Sequence, residues 1–172
     1  LEPYSFYGID YLSDLRLKNN LIRSLPNRVF FNTSLINFLD MSNNQLQALN
    51  SDFCEYLTAL VVLILRSNRF KVLPANMLYK CPRLGILALS DNQIEQIERD
   101  ALGNQLTEVY LENNKLEFIK EYTFGRSINI KKLYLTKNRI SSIEKDSFDN
   151  MIALSELDLS DNCIYSIRED AF

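Results

Sequence analysis

Residues 130–148 read IKKLYLTKNRISSIEKDSF and contain the pattern that decides the fold. Leu or Ile stands at positions 130, 133, 135, 140 and 143, Asn at 138 and Phe at 148, with mostly polar residues between them. This spacing fits neither the 3.6-residue period of a helix nor the 2-residue period of a strand throughout. The stretch is therefore predicted to be a compound unit made of a strand, a turn and a return segment.

The same unit recurs along the whole chain of 172 residues. Aligned on the asparagine, the copies begin at residues 12, 36, 60, 84, 106, 130 and 154, after a partial copy at 1–11. Each copy follows the pattern L-x-x-L-x-L-x-x-N-x-L, and the asparagines are Asn20, Asn44, Asn68, Asn92, Asn114, Asn138 and Asn162. Copies in phase at this period predict a solenoid in which each repeat packs against its neighbours.

This pattern resembles the leucine-rich repeat family, and the resemblance covers essentially the whole chain. A repeat near 24 residues with Phe ten residues after the Asn is similar to the class common in Toll-type receptor ectodomains, adhesion receptors, matrix proteoglycans and secreted insect immune proteins. The resemblance implies an α/β-type solenoid, a curved right-handed coil with a parallel β-sheet on the concave face and irregular or 3₁₀ segments on the convex face. We therefore expect one solenoid domain over residues 1–172.

The chain begins and ends within a repeat, because Leu1 occupies the slot of Ile143 and Phe172 the slot of Phe148. Solenoids need polar capping repeats to protect the ends of the core, and no such segment is recognisable. A starting Met and a signal peptide are also missing from the sequence. We interpret the sequence as an internal fragment of a longer solenoid.

Two further columns are predicted from the repeat. The asparagines should hydrogen-bond backbone groups in the turn after each strand, because an unpaired buried polar group costs about 1–3 kcal/mol. A spine should stack on the convex side ten residues after each asparagine, formed by Phe6, Phe30, Cys54, Leu78, Leu102, Phe124, Phe148 and Phe172. The repeat from residue 84 is two residues short, so we expect a local change of curvature near residues 98–106.

The composition argues against several classes of function. The chain contains no histidine and therefore no histidine acid–base group, metal ligand or pH switch. Four glycines offer no phosphate-binding loop, and a formal net charge of −3 does not indicate nucleic acid or an anionic membrane. The longest apolar stretch, near residues 57–65, is too short to cross a bilayer. We expect no enzyme activity, no cofactor, no metal, no nucleic-acid partner and no membrane insertion by this segment.

The cysteines and one asparagine are candidates for covalent chemistry. Cys54 and Cys81 occupy apolar slots and are interpreted as buried thiols, with a bridge between neighbouring repeats as the alternative. Cys163 occupies a slot that is mostly polar elsewhere, so we expect exposure and either a free thiol or an intermolecular bond. Asn32-Thr33-Ser34 is an N-glycosylation sequon, which the extracellular type of repeat favours.

The residues between the buried leucines of each strand are predicted to face the concave side in two columns. One column reads Asp14, Phe38, Val62, Ile86, Glu108, Lys132 and Glu156, and the other reads Arg16, Asp40, Ile64, Ala88, Tyr110, Tyr134 and Asp158. Strands about 4.8 Å apart would join the apolar members into one patch, of a size that marks interaction sites. The predicted contact residues are Phe38, Asp40, Val62, Ile64, Arg66, Ile86, Ala88, Glu108, Tyr110, Glu112, Lys132 and Tyr134. The alternative is β-propensity on a partly covered surface.

These observations predict a non-catalytic recognition module of a secreted protein or a receptor ectodomain. It would bind a protein ligand or co-receptor through the concave face, with homodimers and heterodimers both open. The resemblance makes innate immune recognition the leading context. Two alternatives stay open: a structural or adhesive matrix or cell-surface protein that self-associates, and an intracellular scaffold or enzyme inhibitor.

Overall fold

The computed structural model describes residues 1–50, 52–121, 123–124 and 127–172. These residues form twelve strands and no helix. In chain order the strands are β1 (Asp14–Arg16), β2 (Phe38–Asp40), β3 (Val62–Ile64), β4 (Val72–Leu73), β5 (Ile86–Ala88), β6 (Gln96–Ile97), β7 (Glu108–Tyr110), β8 (Phe118–Ile119), β9 (Lys132–Tyr134), β10 (Ser142–Ile143), β11 (Glu156–Asp158) and β12 (Ser166–Ile167). Among the residues described, no helix has the length and apolar character that a membrane crossing requires.

Each repeat contributes one three-residue strand to a seven-stranded parallel sheet in the order β1-β2-β3-β5-β7-β9-β11. Equivalent residues pair without slippage, so that Leu39 lies opposite Leu63 and Leu63 opposite Leu87. The central residue of each strand points into the body, and Leu39, Leu63 and Leu87 have no exposed surface. Because side chains alternate between the two faces of a strand, a shift of the register by one residue would expose these leucines. This cost explains the strict register. The predicted solenoid with its parallel sheet on the concave face is confirmed.

The core lies behind this sheet and is continuous from repeat to repeat. Leu60, Leu65, Phe70 and Leu73 come from one repeat and are all fully buried. Burying one such side chain stabilises the fold by about 1.5–3 kcal/mol. Since the same positions repeat along the chain, each repeat covers the apolar surface of the next.

The asparagine column hydrogen-bonds backbone groups of the turns, as the sequence predicts, and it also ties neighbouring repeats together. Asn92 Oδ1 accepts a hydrogen bond from Phe70 N of the preceding repeat at 3.1 Å, while Nδ2 donates to Leu65 O at 3.0 Å and Leu89 O at 2.9 Å. The same two-sided arrangement occurs at Asn44, Asn68, Asn114, Asn138 and Asn162. Asn20 is the exception, because its side chain is exposed and donates only to Leu17 O and Lys18 O.

The residue before each asparagine has a left-handed backbone, with φ between 53° and 59°. This column contains Asn19, Asn43, Ser67, Asp91, Asn113, Lys137 and Asp161. Asn and Asp tolerate this conformation better than most L-residues because their side chains hydrogen-bond locally. Members of this column also bond across repeats, as where Asn43 Nδ2 donates to Asn19 Oδ1 at 2.7 Å. The tight turn after each strand is thus built from two adjacent positions, of which only the asparagine was predicted.

The convex spine is present, and rings stack at both ends of it. The ring centroids of Phe6 and Phe30 lie 5.8 Å apart, and Phe148 lies 5.6 Å from Phe124 and 5.0 Å from Phe172. In the middle of the spine, Leu78 and Leu102 are buried and the rings are absent. The spine therefore follows the predicted column.

The interpretation of Cys54 and Cys81 as buried thiols is wrong. The two residues form a disulfide between neighbouring repeats, with their Cα atoms 5.0 Å apart. Both are buried: Cys54 occupies the spine slot of its repeat, and Cys81 lies three residues after the spine slot of the next repeat. The repeat spacing alone does not distinguish a disulfide bridge from two apolar contacts. The structure shows that the alternative interpretation, a bridge between neighbouring repeats, is the correct one.

Of the expected irregular or 3₁₀ segments on the convex side, the structure has the irregular form: separate turns and short strands in the part of the chain that it describes. Hydrogen bonds such as Val29 N to Pro26 O and Phe31 N to Arg28 O close single turns. Left-handed residues interrupt the series, among them Arg28, Asn76, Asp100 and Asp146. A right-handed 3₁₀ helix cannot continue through such a residue. Five repeats then add a two-residue strand, in the sheets β4-β6 and β8-β10-β12.

The shortened repeat coincides with an interruption between these two convex sheets, because β6 and β8 are not paired. Near the missing residues, Gln105 Nε2 donates to Leu78 O at 3.1 Å. Gly103 has φ of 72°, and a Cβ atom there would lie 2.7 Å from Gln105 Oε1. A glycine and a glutamine side chain thus close the shorter connection.

Replacing Asn92 with Ala should lower the free energy of unfolding by about 3 kcal/mol, because Phe70 N, Leu65 O and Leu89 O lose a buried partner. The matched control is Asn20→Ala, which should cost less than about 1 kcal/mol since its bonds are solvent-exposed. Urea unfolding followed by circular dichroism measures both. Equal losses for the two variants would contradict the role given to the column.

Candidate interaction surface

The side chains on either side of each buried strand centre form one continuous surface, called the inner face below. Strand register places Phe38, Val62 and Ile86 in one row and Asp40, Ile64 and Ala88 in the next. Of the twelve predicted contact residues, Arg66 is exposed and the other eleven are half-buried. The structure therefore brings these residues together on one accessible wall.

The middle of the inner face is an apolar block formed by Phe38, Val62, Ile64, Ile86 and Ala88. These side chains are half-buried by one another but point away from the core. At its edge, the Arg16 guanidinium lies 5.1 Å from the centroid of the Phe38 ring. Because burying one such side chain yields about 1.5–3 kcal/mol, the block is a favourable surface for an apolar partner.

Tyr110 and Tyr134 form a stacked pair beside the apolar block. Their ring centroids are 4.9 Å apart and the ring planes differ by 11°. Tyr110 OH donates to Glu108 Oε2 at 2.8 Å, and Tyr134 OH donates to Glu156 Oε1 at 2.9 Å. Both hydroxyl protons are therefore in use, and the phenolic oxygens remain available as acceptors for a partner.

Charged residues frame the centre of the inner face. Arg66 Nε lies 2.6 Å from Asp91 Oδ2, and Asp91 Oδ1 accepts from Asn113 Nδ2 at 2.7 Å. Lys132 Nζ lies 3.8 Å from Glu108 Oε1. Exposed pairs of this kind contribute only about 0–1 kcal/mol to stability. They act mainly to hold side chains in defined positions around the apolar block.

Asp40 has a local structural partner that the sequence reading missed. Its Oδ1 atom accepts a hydrogen bond from Ser42 N at 2.8 Å. Asp158 Oδ1 likewise accepts a hydrogen bond from Ser160 N, and it also accepts one from the Ser160 hydroxyl. The bond from the hydroxyl is the main reason that the pKa of the Asp158 carboxyl group is lowered. The spacing Asp-x-Ser is a recognised turn signal and could have indicated this role.

Tyr110 and Asp91 show how neighbouring groups displace pKa values on and beside the inner face. The hydrogen bond to Glu108, together with burial and the charge of that carboxylate, raises the pKa of Tyr110 to about 12. For Asp91, burial alone would raise the pKa, but the hydrogen bonds from Asn113 and Arg66 bring it below its usual value. Since the folded-state pKa of Tyr110 is raised, its stabilising contribution is complete below pH 10 and is lost as the pH rises through about 12.

The remaining predicted sites lie away from the inner face. Asn32 is exposed, its φ is 63°, and its Nδ2 donates to Asp10 Oδ1 at 2.7 Å. Ser34, the hydroxyl residue of the sequon, is exposed as well. Cys163 is an exposed free cysteine. Within the described ranges, no group of three or more Cys, Asp or Glu side chains is arranged to hold a metal ion.

The absorbance of tyrosinate near 295 nm should report the tyrosine pair directly. In a difference titration between the wild type and Tyr110→Phe, one tyrosine should ionise with a pKa of about 12. Glu108→Gln removes the negative acceptor and should move this pKa down towards the usual value near 10. An unchanged titration in Glu108→Gln would show that Glu108 does not hold Tyr110.

Comparison with known proteins places this architecture in a family. A family model described as Leucine rich repeat matches residues 58–116 and 104–164. No curated protein sequence matches the chain. A solved structure, the crystal structure of the TLR13-ssRNA13 complex, matches with a TM-score of 0.82 and 26% sequence identity. The match covers 91% of this chain but 23% of the TLR13 chain, so the present chain spans about a quarter of that protein's length. The chain belongs to the leucine-rich repeat family.

Proposed function

We propose that the chain is a recognition segment that binds a protein partner through the inner face. The observation that supports this most directly is the apolar block of Phe38, Val62, Ile64, Ile86 and Ala88, bordered by the stacked Tyr110–Tyr134 pair. These side chains are not needed for the core, which is formed by the opposite face of the same strands. An accessible apolar centre with aromatic residues and a charged rim is the usual layout of a protein interface.

The repeat architecture favours tight binding because the surface is held in place before the partner arrives. Each strand is paired on both sides in the middle of the sheet, and both tyrosine hydroxyls are hydrogen-bonded. Little conformational entropy is then lost when the complex forms. The apolar block would supply affinity, while the carboxylates and Arg66 would select for the partner's charges.

A nucleic-acid partner is the second candidate, since the similar TLR13 structure is a complex with ssRNA13. The charges of the inner face favour a protein instead. Its two strand columns contain the acidic residues Asp14, Asp40, Glu108, Glu156 and Asp158 but only Arg16 and Lys132 as basic residues. Nucleic-acid phosphates are bound mainly by Lys and Arg side chains, and the carboxylates of the inner face would repel these phosphates.

We also propose an extracellular location, either secreted or in a receptor ectodomain, with innate immune recognition as the context. The Cys54–Cys81 disulfide supports this location, because structural disulfides persist in oxidising compartments. The exposed sequon at Asn32 is compatible with a glycoprotein, as is the likeness to a Toll-like receptor structure. A glycosylated Asn32 would keep one N–H group and could still donate to Asp10.

Changing Ile64 and Ile86 together to Asp should weaken partner binding at least about 30-fold, which corresponds to the ~2 kcal/mol expected of central interface residues. The control is Ile152→Asp, at a side chain that is 88% exposed and lies outside the inner face. Both variants and the wild type serve as bait for extracellular proteins, with and without nuclease, and mass spectrometry quantifies the capture.

A protein captured by the wild type and the control but not by the double variant is the expected result. Equal capture by all three chains would refute binding through the inner face. Capture that disappears with nuclease would instead support the nucleic-acid candidate. Sedimentation equilibrium distinguishes self-association from binding of a different protein. If the chain self-associates through the inner face, the wild type is a dimer and the double variant is a monomer.

Expression through the secretory pathway should yield a chain whose mass falls on treatment with an N-glycosidase. Ser34→Ala should abolish this shift, because the sequon hydroxyl is lost, whereas Ser24→Ala serves as an exposed control outside the sequon. Intact-mass measurement reads out all three chains. A secreted wild-type chain without a glycan would exclude Asn32 as a modification site.

A further inference from the structure

The convex side carries an interrupted ladder between two small parallel sheets. One sheet contains β4 and β6, and the other contains β8, β10 and β12. β6 and β8 occupy equivalent positions in adjacent repeats, yet they are not paired. Each sheet therefore turns one free strand edge towards the other across the boundary of the shortened repeat.

The neighbouring repeat shows which backbone groups are unpaired at this boundary. There, Glu117 O accepts from Ser141 N at 2.9 Å, and Ile119 O accepts from Glu144 N at 3.1 Å. One repeat earlier, the equivalent acceptors are Glu95 O and Ile97 O, and the equivalent donors are Glu117 N and Lys120 N. Within the described residues no hydrogen bond joins these four groups. The ladder is intact just before, where Lys115 N donates to Ile94 O at 2.8 Å.

A groove separates the two edges and gives access to them. Its volume is about 190 Å³, well above the roughly 10–15 Å³ that a site needs to hold one water molecule. Phe118 lines it and is 48% exposed, and the buried Phe124 also lines it. Glu95, Glu117 and Lys120 also line the groove, so its lining contains two acidic residues and one basic residue. The groove thus combines unpaired backbone groups, an exposed aromatic ring and charged residues.

We propose that the groove between β6 and β8 is a strand-addition site for an extended segment of a partner protein that carries an apolar residue between basic residues. An extended backbone has donors and acceptors on both sides, so it matches the acceptors of β6 and the donors of β8 at once. The apolar residue packs on Phe118, and the basic residues face Glu95 and Glu117. This site lies on the opposite side of the solenoid from the inner face and is independent of it.

The test uses a library of acetylated and amidated peptides, about seven residues long like an ordinary strand, with apolar residues alternating with Lys or Arg. Fluorescence anisotropy measures their binding to the whole chain. We expect at least one peptide to bind saturably to the wild type, and Phe118→Asp to weaken it at least about tenfold. Backbone N-methylation of that peptide should weaken binding as much, because it removes the strand donors without changing the protein.

Two control variants give the test its specificity. Val72→Asp changes the equivalent position two repeats earlier, which is 40% exposed and lies outside the groove, and should leave the affinity within about twofold. Ile64→Asp with Ile86→Asp disrupts the inner face and should also have no effect. The proposal is overturned if no peptide in the library binds, if the methylated peptide binds equally well, or if an inner-face or Val72 change has the same effect as Phe118→Asp.

Discussion

Satisfying the polar backbone at the end of each short strand is the constraint on which this structure depends. Each strand of the main sheet has only three residues, so a turn follows directly. This turn places backbone N–H and C=O groups in the apolar interior. The side chain of Asn92 and its counterparts supplies both an acceptor and donors to those groups. Because each asparagine from Asn44 onwards bonds the preceding repeat as well as its own, the same contacts that complete one turn also join the repeats.

This division of labour leaves the inner face free for recognition. Buried strand centres such as Leu63 and Leu87 form the core, whereas Val62, Ile64, Ile86 and Ala88 lie on the other side of the same strands and are only half-buried. If the proposed function holds, substitutions there change binding more than folding. The stacked tyrosines and their carboxylate partners show how ordered such a surface is even without a partner.

The convex side is less regular, and the sequence predicted less of it. The spine of Phe30, Phe124 and Phe148 was recognisable because its members recur ten residues after each asparagine. The two small sheets were not, because two-residue strands such as Val72–Leu73 are shorter than any periodicity that a sequence pattern can display. The Cys54–Cys81 bridge was only one of two readings, since small apolar slots that stack in space suit a thiol and a disulfide equally well. The pairing of Arg66 with Asp91 was also missed, because Asp91 lies in the left-handed turn position that received no role.

The sequence by itself determined the repeat, the phase of its strands, the buried and the accessible columns, and the role of the asparagines. Those features follow from spacing within one repeat, and spacing is a local property of the chain. The tertiary structure alone decided how neighbouring turns meet: which cysteines join, where the convex ladder is interrupted, and which charged groups pair across repeats. Such contacts depend on distances between residues 22 to 28 positions apart. These distances change when one repeat shortens by two residues, as the repeat from residue 84 does.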